Sequence, residues 1–278
     1  MNVRDLVARA LAEDLGAGDV TTQSLFSGAV PATGTIVAEE RDGLVVAGLS
    51  VAMEVFAQTD PALTCSSRFS DGDRARQGEI ILAVTGDGRS ILKAERVALN
   101  FLQRLSGIAT LTLRFCEAVK GTRTRIVDTR KTTPGLRLLE KWAVTLGGGL
   151  NHRHGLADGI LIKDNHLALD GGDVARACRL TRERAPHGLK IEVEVRTLAE
   201  VQAALDGAAD IILLDNMDLP TIRQSVDLIK GRALIEVSGG VTLATIREIA
   251  ALGPDMISVG ALTHSAPAAN LSMDLVPR

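Results

Sequence analysis

Two kinds of segment alternate along the chain beyond Gly121. Short runs of mostly aliphatic and β-branched residues are separated by longer stretches whose apolar residues recur three and four positions apart, as in residues 197–205 and 242–252. This alternation of strands with amphipathic helices predicts a parallel sheet, because parallel strands need long crossover connections. The predicted strands cover residues 125–129, 159–163, 190–195, 210–215, 234–237 and 256–259.

Polar residues or glycine follow nearly every predicted strand. The segments are Asp128-Thr129-Arg130-Lys131, Lys163-Asp164-Asn165-His166, Glu194-Val195-Arg196, Asp215-Asn216, Ser238-Gly239-Gly240 and Gly260. In a parallel barrel the carboxyl ends of the strands share one rim, where the chemistry takes place. Because the strands are fewer than those of a closed barrel, the pattern favours an open, incomplete α/β barrel. A doubly wound open sheet is the alternative, and it also places ligands at carboxyl strand ends.

The chain before Gly121 has a mixed pattern typical of a separate α/β domain. Helices are predicted over residues 2–15 and 49–58, and short strands over 35–38, 44–46 and 79–84. Residues 93–119 have helical spacing, and Ser106-Gly107 predicts a break in that helix. The fold class is therefore α/β, with an amino-terminal domain that precedes the barrel.

Composition narrows the range of partners. Aromatic residues make up 2% of the 278 residues, and the formal net charge is -3. Single-stranded nucleic acid is bound on aromatic platforms and duplexes on a net basic surface, so nucleic-acid binding is not expected. Basic residues must then act locally, as a small anionic ligand requires.

Cysteine usage and apolar runs bear on the compartment. Cys65, Cys116 and Cys178 form no CxxC pair, so neither a disulfide framework nor a zinc site is indicated, and a reduced, cytoplasmic setting is expected. The start of the chain lacks the apolar region of a signal peptide. No uncharged apolar run approaches the ~20 residues of a membrane helix, so no membrane partner is expected.

Basic residues cluster around the first two predicted strands of the barrel. Arg130 offers a bidentate fork for a carboxylate or phosphate, and Lys131 offers a point charge. His152 and Arg153 follow three consecutive glycines, 147–149, which let the backbone approach a ligand. Lys163 follows a buried run and can face the rim. Each segment has a structural alternative. It is a solvated turn for Arg130-Lys131, a flexible linker for the glycines with His152-Arg153, and an ordinary strand-to-loop transition for Lys163.

Acidic and glycine residues complete the candidate chemistry. Glu192, Glu194 and Asp215 lie in or at the end of apolar strands, where a carboxylate is costly unless it is paired or bound to a metal. Their hard oxygens suit Mg²⁺ beside a phosphate, with salt bridges to the basic rim as the alternative. The glycine turns after the last two strands suit a phosphate group. Their residues are Ser238, Gly239, Gly240 and Gly260.

These motifs, in this order, resemble those of the quinolinate phosphoribosyltransferase family. The resemblance rests above all on the string Gly-Gly-Gly-Leu-Asn-His-Arg at 147–153, and it extends into the first domain at residues 13–22, 95–100 and 105–110. It implies an amino-terminal α/β sandwich over 1–108, joined by a carboxyl-terminal tail at about 264–278, and an open α/β barrel over 109–263. Nearly the whole chain is covered.

The resemblance also implies a reaction and a role for each motif. Phosphoribosyl pyrophosphate and quinolinate would give nicotinate mononucleotide, pyrophosphate and carbon dioxide in NAD biosynthesis, with Mg²⁺ as cofactor. The implied quinolinate contacts are Arg130, His152, Arg153 and Lys163, with Arg96 reaching the partner's site across a homodimer. The implied catalytic residues are Lys131, Glu192 and Asp215, with Glu192 and Asp215 as metal ligands. Ser238, Gly239, Gly240 and Gly260 are the implied cradle of the ribose 5-phosphate.

Two other functions remain open on the sequence alone. A molybdenum-transport-associated paralogue of the same fold would share Arg130 and Lys131 but vary the glycine and His-Arg segment. A non-catalytic phosphosugar-binding barrel would need the phosphate cradle but not the dicarboxylate cluster. The intact Asn151-His152-Arg153 favours quinolinate.

Overall fold

The computed structural model describes residues 2–278, in two compact units. One unit runs through Leu111 and takes in Ala266–Arg278, and the other is Thr112–Ser265. No helix within the described residues is both long enough and apolar enough to cross a membrane.

The first unit is built around an antiparallel sheet. Its elements are α1 (Val3–Leu15), α2 (Val20–Leu25), β1 (Pro31–Ala38), β2 (Leu44–Val45), α3 (Leu49–Thr59), β3 (Thr64–Ser66), β4 (Arg74–Ala75), β5 (Ile80–Asp87), the first part of α4 (Gly88–Ala118) and, from the end of the chain, β12 (Leu271–Pro277). The sheet has the order β12-β1-β5-β3, and β2 pairs separately with β4. Every second residue of β1 is buried, so one face of the sheet packs on the core.

The predicted break in the long helix is wrong, because α4 runs without interruption through Ser106 and Gly107. The buried Ser106 hydroxyl accepts from Ala47 N (3.0 Å) and donates to Ala47 O (3.2 Å). A Cβ at Gly107 would lie 2.0 Å from the carbonyl oxygen of Pro267. Both residues therefore serve close packing within the first unit, and neither ends the helix.

The second unit alternates strands and helices, as the sequence predicts. Its elements are β6 (Arg125–Val127), α5 (Arg137–Leu146), β7 (Ile160–Ile162), α6 (Asp164–Asp170), α7 (Val174–Arg184), β8 (Ile191–Val195), α8 (Leu198–Asp206), β9 (Ile211–Asp215), α9 (Leu219–Ile229), β10 (Leu234–Ser238), α10 (Ile246–Ala251), β11 (Met256–Ser258) and α11 (Ala261–His264). All five residues of β8 are buried, as expected for a strand covered on both faces.

The strands of the second unit form one parallel sheet that is not closed. Their order is β6-β11-β10-β9-β8-β7, so the first two strands of the unit are the two edges. A short parallel bridge between Val127 and Leu150 extends the β6 edge. The prediction of an open α/β barrel is confirmed, and the carboxyl ends of its strands face one rim.

Candidate active site

A cavity of about 800 Å³ opens at the carboxyl ends of the barrel strands. Ten of the predicted site residues line it: Arg130, Lys131, His152, Arg153, Lys163, Asp215, Ser238, Gly239, Gly240 and Gly260. Glu192 does not line the cavity but contacts His152, which does. Arg96 lies on α4 in the first unit, with its side chain 58% exposed and 3.8 Å from Glu95.

The loop after β6 presents Arg130 and Lys131 to the cavity. The Nε of Arg130 is buried and has no hydrogen-bond partner among residues 2–278. The Thr263 hydroxyl donates to the Lys131 carbonyl at 2.8 Å, and Lys131 N donates to the Thr129 hydroxyl at 3.1 Å. A buried donor without an acceptor is costly, so the site is suited to an anion that supplies one.

Arg153 adds a second guanidinium to the same region. Its Nη1 donates to the Gly159 carbonyl at 2.9 Å. Burial lowers the pKa of Arg153, and the charge of Arg130 lowers it further. Two guanidinium groups that repel each other in a partly buried cavity favour a ligand with more than one negative charge.

The three glycines that precede this loop do not line the cavity. A Cβ at Gly149 would lie 2.8 Å from side-chain atoms of both Thr112 and Val144. Gly148 adopts φ +88, a conformation that favours glycine. The segment is thus packed tightly within the barrel unit, which excludes the flexible-linker alternative and corrects the expectation that its backbone approaches the ligand.

His152 sits between two buried carboxylates. Its Nε2 lies 3.0 Å from Glu192 Oε2 and 3.8 Å from Glu236 Oε1. Its Nδ1 accepts from the Arg153 backbone N–H at 2.8 Å, which places the ring proton on Nε2, where it is donated to Glu192. Burial lowers the pKa of His152, but the Glu192 hydrogen bond and the Glu236 charge raise it above its ordinary value.

Glu236 is a site residue that the sequence analysis missed. It is 1% exposed, and burial together with the nearby Glu192 charge raises its pKa to about 8. One oxygen of Glu236 and one of Glu192 are buried without partners in the described part of the chain. A signal was present, because Glu236 interrupts an apolar strand as Glu192 and Glu194 do.

A network of charges spans the ends of β7, β8 and β9. The Lys163 ammonium lies 3.1 Å from Glu194. Arg196, which was not among the predicted site residues, contacts three carboxylates: Asp164 at 2.9 Å, Glu194 at 3.3 Å and Asp215 at 3.3 Å. Salt bridges, the alternative for the acidic residues, therefore account for Glu194 and Asp215 in this structure.

The predicted metal pair of Glu192 and Asp215 is not brought together. The strand register pairs Glu192 with Ile211, and Asp215 lies four residues further along β9. At ~3.3 Å per residue, that is about 13 Å of strand. Register between strands is set by tertiary pairing, which the sequence did not show, so the two carboxylates occupy different levels of the barrel.

Close-packed glycines line the side of the cavity formed by β10 and β11. Gly239 has φ +94, and a Cβ there would lie 2.2 Å from Asn216 Oδ1. A Cβ at Gly260 would lie 3.0 Å from the Lys131 side chain. Backbone amides exposed at glycine turns after the last strands of a barrel are suited to a phosphate group.

Comparisons with known proteins agree over the whole chain. A family model for the "Quinolinate phosphoribosyl transferase, C-terminal domain" matches residues 108–274, and one for its N-terminal domain matches residues 19–106. The chain is 40% identical over 275 residues to "Probable nicotinate-nucleotide pyrophosphorylase [carboxylating]" of Bacillus subtilis (strain 168), covering 99% of this chain and 94% of that one. It is 42% identical over 293 residues to "Quinolinate phosphoribosyltransferase [decarboxylating] 1" of Nicotiana glauca, covering 99% and 82%.

Solved structures give the same result. "Crystal Structure of NadC from Streptococcus pyogenes" superimposes with a TM-score of 0.92 at 44% identity, covering 99% of this chain and 96% of that chain. A nicotinate-nucleotide pyrophosphorylase from Ehrlichia chaffeensis superimposes with a TM-score of 0.93 at 37% identity, covering 99% of each chain.

Proposed function

The chain belongs to the quinolinate phosphoribosyltransferase family, and on that premise we propose how its cavity joins quinolinate to phosphoribosyl pyrophosphate. The products are nicotinate mononucleotide, pyrophosphate and carbon dioxide, and the reaction belongs to NAD biosynthesis. One observation carries the assignment of quinolinate to this cavity: Arg130 and Arg153 face the same space, with a buried Arg130 Nε that has no partner within residues 2–278.

Quinolinate carries two adjacent carboxylates, which match this pair of guanidinium groups. Each guanidinium can donate two parallel hydrogen bonds to a carboxylate, and each bond to an ionised group is stronger than a neutral one. His152 and Lys163 line the same cavity and supply further donors. Binding of the dianion would relieve the repulsion between Arg130 and Arg153. Because these cations would hold both carboxylates in fixed positions, they would also orient the ring nitrogen toward the sugar.

The glycine turns would hold the other substrate. Ser238, Gly239 and Gly240 after β10, and Gly260 after β11, would donate backbone amides to the 5-phosphate of the ribose. Lys131 extends beside Gly260 and would contact the pyrophosphate. Fixing both substrates in one cavity converts a bimolecular reaction into an intramolecular one, which is the main contribution of such a site.

The chemistry then needs charge stabilisation more than covalent catalysis. The ring nitrogen of quinolinate forms a bond to C1 of the ribose as the bond from C1 to pyrophosphate breaks. Positive charge that develops at C1 would be stabilised by the carboxylate of Asp215, which lines the cavity. Glu192 would contribute through His152, which it contacts at 3.0 Å. Loss of carbon dioxide leaves the bonding electron pair on the ring carbon beside the now cationic nitrogen, and a proton adds there.

Mg²⁺ is part of the proposal. Asp215 fits as a ligand, because it lines the cavity and its hydrogen bonds from Arg196 and Asn216 both fall on Oδ2, so Oδ1 would be the oxygen offered to the ion. Its hard oxygens suit an ion that commonly uses one or two carboxylates plus phosphate oxygens. When bound, Mg²⁺ would neutralise the departing pyrophosphate. Glu192 lies deeper in the barrel, where it contacts His152, and would influence the site through its negative charge rather than as a ligand of the ion.

The functional unit we propose is a homodimer in the cytoplasm. Arg96 is exposed on α4, outside the barrel unit, and would complete the quinolinate site of the partner subunit. Cys65, Cys116 and Cys178 are all free thiols, which suits a reducing compartment.

Neither alternative function is favoured. A binding-only barrel has no use for the paired guanidinium groups beside the glycine cradle. The molybdenum-transport-associated paralogue would differ at Asn151-His152-Arg153, which is intact here.

The test is to incubate the purified protein with quinolinate, phosphoribosyl pyrophosphate and Mg²⁺, and to quantify nicotinate mononucleotide and released carbon dioxide. Equal amounts of both products are expected. Parallel reactions should replace quinolinate with nicotinate, which lacks one carboxylate, and should give no product. Turnover of nicotinate in place of quinolinate would refute the assignment.

A further inference from the structure

A lysine and an aspartate form an ion pair inside the barrel unit with no exposure to solvent. Lys141 lies on α5 and Asp128 follows β6, and each side chain is 0% exposed. The Lys141 ammonium donates to Asp128 Oδ1. Burial raises the pKa of Asp128 and lowers the pKa of Lys141, while their contact opposes both shifts.

The pair hydrogen-bonds both the N–H and the carbonyl group of the His152 backbone. His152 N donates to Asp128 Oδ1 at 2.9 Å, and Lys141 Nζ donates to the His152 carbonyl at 3.0 Å. Asn151, with its amide nitrogen turned toward the pair, donates to Asp128 Oδ2 at 2.6 Å and to the Lys141 carbonyl at 2.9 Å. The segment 150–154, called here the His152 loop, is therefore anchored to the buried pair.

The same helix also holds the segment 128–135, called here the Arg130 loop. The buried Glu140 accepts from Thr133 N at 3.0 Å and from the Thr133 hydroxyl at 2.7 Å. Arg137 bridges the two loops, because its Nε donates to Thr132 Oγ1 at 3.0 Å and its Nη1 donates to the His154 carbonyl at 2.9 Å. Asp128 itself opens the Arg130 loop.

We propose that the Asp128–Lys141 pair is a positioning element that fixes the separation between Arg130 and the His152-Arg153 dipeptide, and so tunes the site to a ligand with two adjacent carboxylates. Neither residue lines the cavity, so both act through the loops they hold. This inference rests on the proposed function, since the ligand it concerns is quinolinate.

Stability alone does not explain the pair. Replacing a buried ion pair by apolar residues of similar volume is often neutral or stabilising, because the desolvation of two charges offsets their attraction. What an apolar pair cannot supply is the set of directed bonds to the His152 loop. A misplacement of about 1 Å in a binding group can cost on the order of 10²-fold in rate. The bonds to the His152 loop therefore affect how well the site binds quinolinate.

The test uses the double variant Asp128→Asn with Lys141→Met, which leaves no unpaired buried charge. Direct binding of quinolinate is measured by titration calorimetry, together with the KM for each substrate. We expect the Kd and KM for quinolinate to rise by about tenfold or more, while the KM for phosphoribosyl pyrophosphate and the melting temperature stay close to those of the wild type. An unchanged quinolinate Kd in the folded double variant would overturn the proposal.

Two further variants keep the result interpretable. Leu139→Ala removes a buried apolar side chain from the same helix, so it should lower the melting temperature without a selective loss of quinolinate binding. Asn151→Ala removes only the amide bonds to the pair and leaves both charges matched, so it should weaken quinolinate binding even if the double variant does not fold. No effect of Asn151→Ala on that binding would count against the proposal.

The experiments distinguish an error in the proposed reaction from an error in the proposed positioning role. If the wild type neither binds quinolinate nor forms nicotinate mononucleotide, the assignment of the reaction is wrong. If the wild type does both, and the variants bind quinolinate equally well, only the positioning role is refuted.

Discussion

Glu236 Oε1 lies 3.8 Å from His152 Nε2, and this carboxylate oxygen is buried without a hydrogen-bond partner among the described residues. A second carboxylate, Glu192, contacts the same ring nitrogen at 3.0 Å. Two carboxylates that share one buried site are most stable when one of them holds a proton.

This arrangement makes stability depend on pH. Burial and the Glu192 charge raise the pKa of Glu236 to about 8 from an ordinary value of 4.5, so the folded state binds the proton more tightly than the unfolded chain. The stabilisation is complete below about pH 4.5 and is lost as pH rises through about 8. His152 changes stability in the same direction, because its pKa is also raised.

Glu236→Gln should therefore flatten the decline in stability between pH 5 and pH 8. The glutamine keeps the shape and cannot ionise, so the contribution of Glu236 is removed, and that of His152 is reduced because the Glu236 charge helps to raise the pKa of His152. The measurement is the free energy of unfolding in urea across this pH range, with the exposed Glu183→Gln as control. A decline as steep as that of the wild type would show that Glu236 does not titrate in this range.

Arg153→Ala should raise the KM for quinolinate and lower kcat/KM for it by roughly 10- to 100-fold, from the ~1.5–3 kcal/mol of a hydrogen bond to a charged group. The KM for phosphoribosyl pyrophosphate should change little. Steady-state kinetics with each substrate varied in turn distinguish the two effects. The control is Arg176→Ala, which removes an exposed arginine paired with Asp170. If the two variants have the same kinetics, Arg153 does not bind quinolinate.

Gly239→Ala should raise the KM for phosphoribosyl pyrophosphate by at least about tenfold. The added Cβ would lie 2.2 Å from Asn216 Oδ1, and φ is +94, so the turn must move away from its present position. Gly253→Ala is a matched control, because it has φ +82 and no atom within 4 Å of the added Cβ, and it lies outside the cavity. If both variants lose stability but neither alters that KM, the turn does not bind the phosphate.

Asp215→Asn should raise the Mg²⁺ concentration that gives half-maximal activity, and should weaken Mn²⁺ binding measured by electron paramagnetic resonance in the presence of phosphoribosyl pyrophosphate. Loss of the charge removes the hard anionic donor that faces the cavity. Asp227→Asn, at an exposed position of α9, controls for net charge. An unaltered metal requirement in Asp215→Asn would place the ion elsewhere.

The sequence predicted the barrel strands to within a few residues, because aliphatic runs bounded by polar residues are a local signal. The break predicted at Ser106-Gly107 was wrong because the contacts that explain these two residues are distant in sequence. A glycine that admits the Pro267 carbonyl is indistinguishable in sequence from one that ends a helix. Ten of the twelve predicted site residues line the cavity, and most of these lie just after a strand.

The parts of the site that were missed depend on tertiary structure. Lys141 stands between Glu140 and Trp142 on an amphipathic helix, and nothing in that pattern shows that its ammonium is fully buried. The separation of Glu192 from Asp215 follows from the register of β8 against β9, which only strand pairing determines. Glu236 could have been found, because it carries the same signal as Glu192.

Arg96 offers the sharpest test of the proposed dimer. If Arg96 completes the partner's site, then Arg96→Ala and Lys131→Ala inactivate different halves of each shared site. Mixed dimers would then contain one site with both defects and one with neither. Random exchange makes half of the dimers mixed, so an equimolar mixture should recover about a quarter of the wild-type activity.

The matched control is a mixture of Lys131→Ala with Arg153→Ala. Both of these residues line the cavity of one chain, so each site of a mixed dimer still carries one defect, and no activity should return. Subunit exchange is verified by purifying the mixed dimers through two different affinity tags. Equal activity from the two mixtures after verified exchange would mean that Arg96 does not act in trans, whereas recovery in the first mixture alone requires a residue of the first unit to serve the barrel of another subunit.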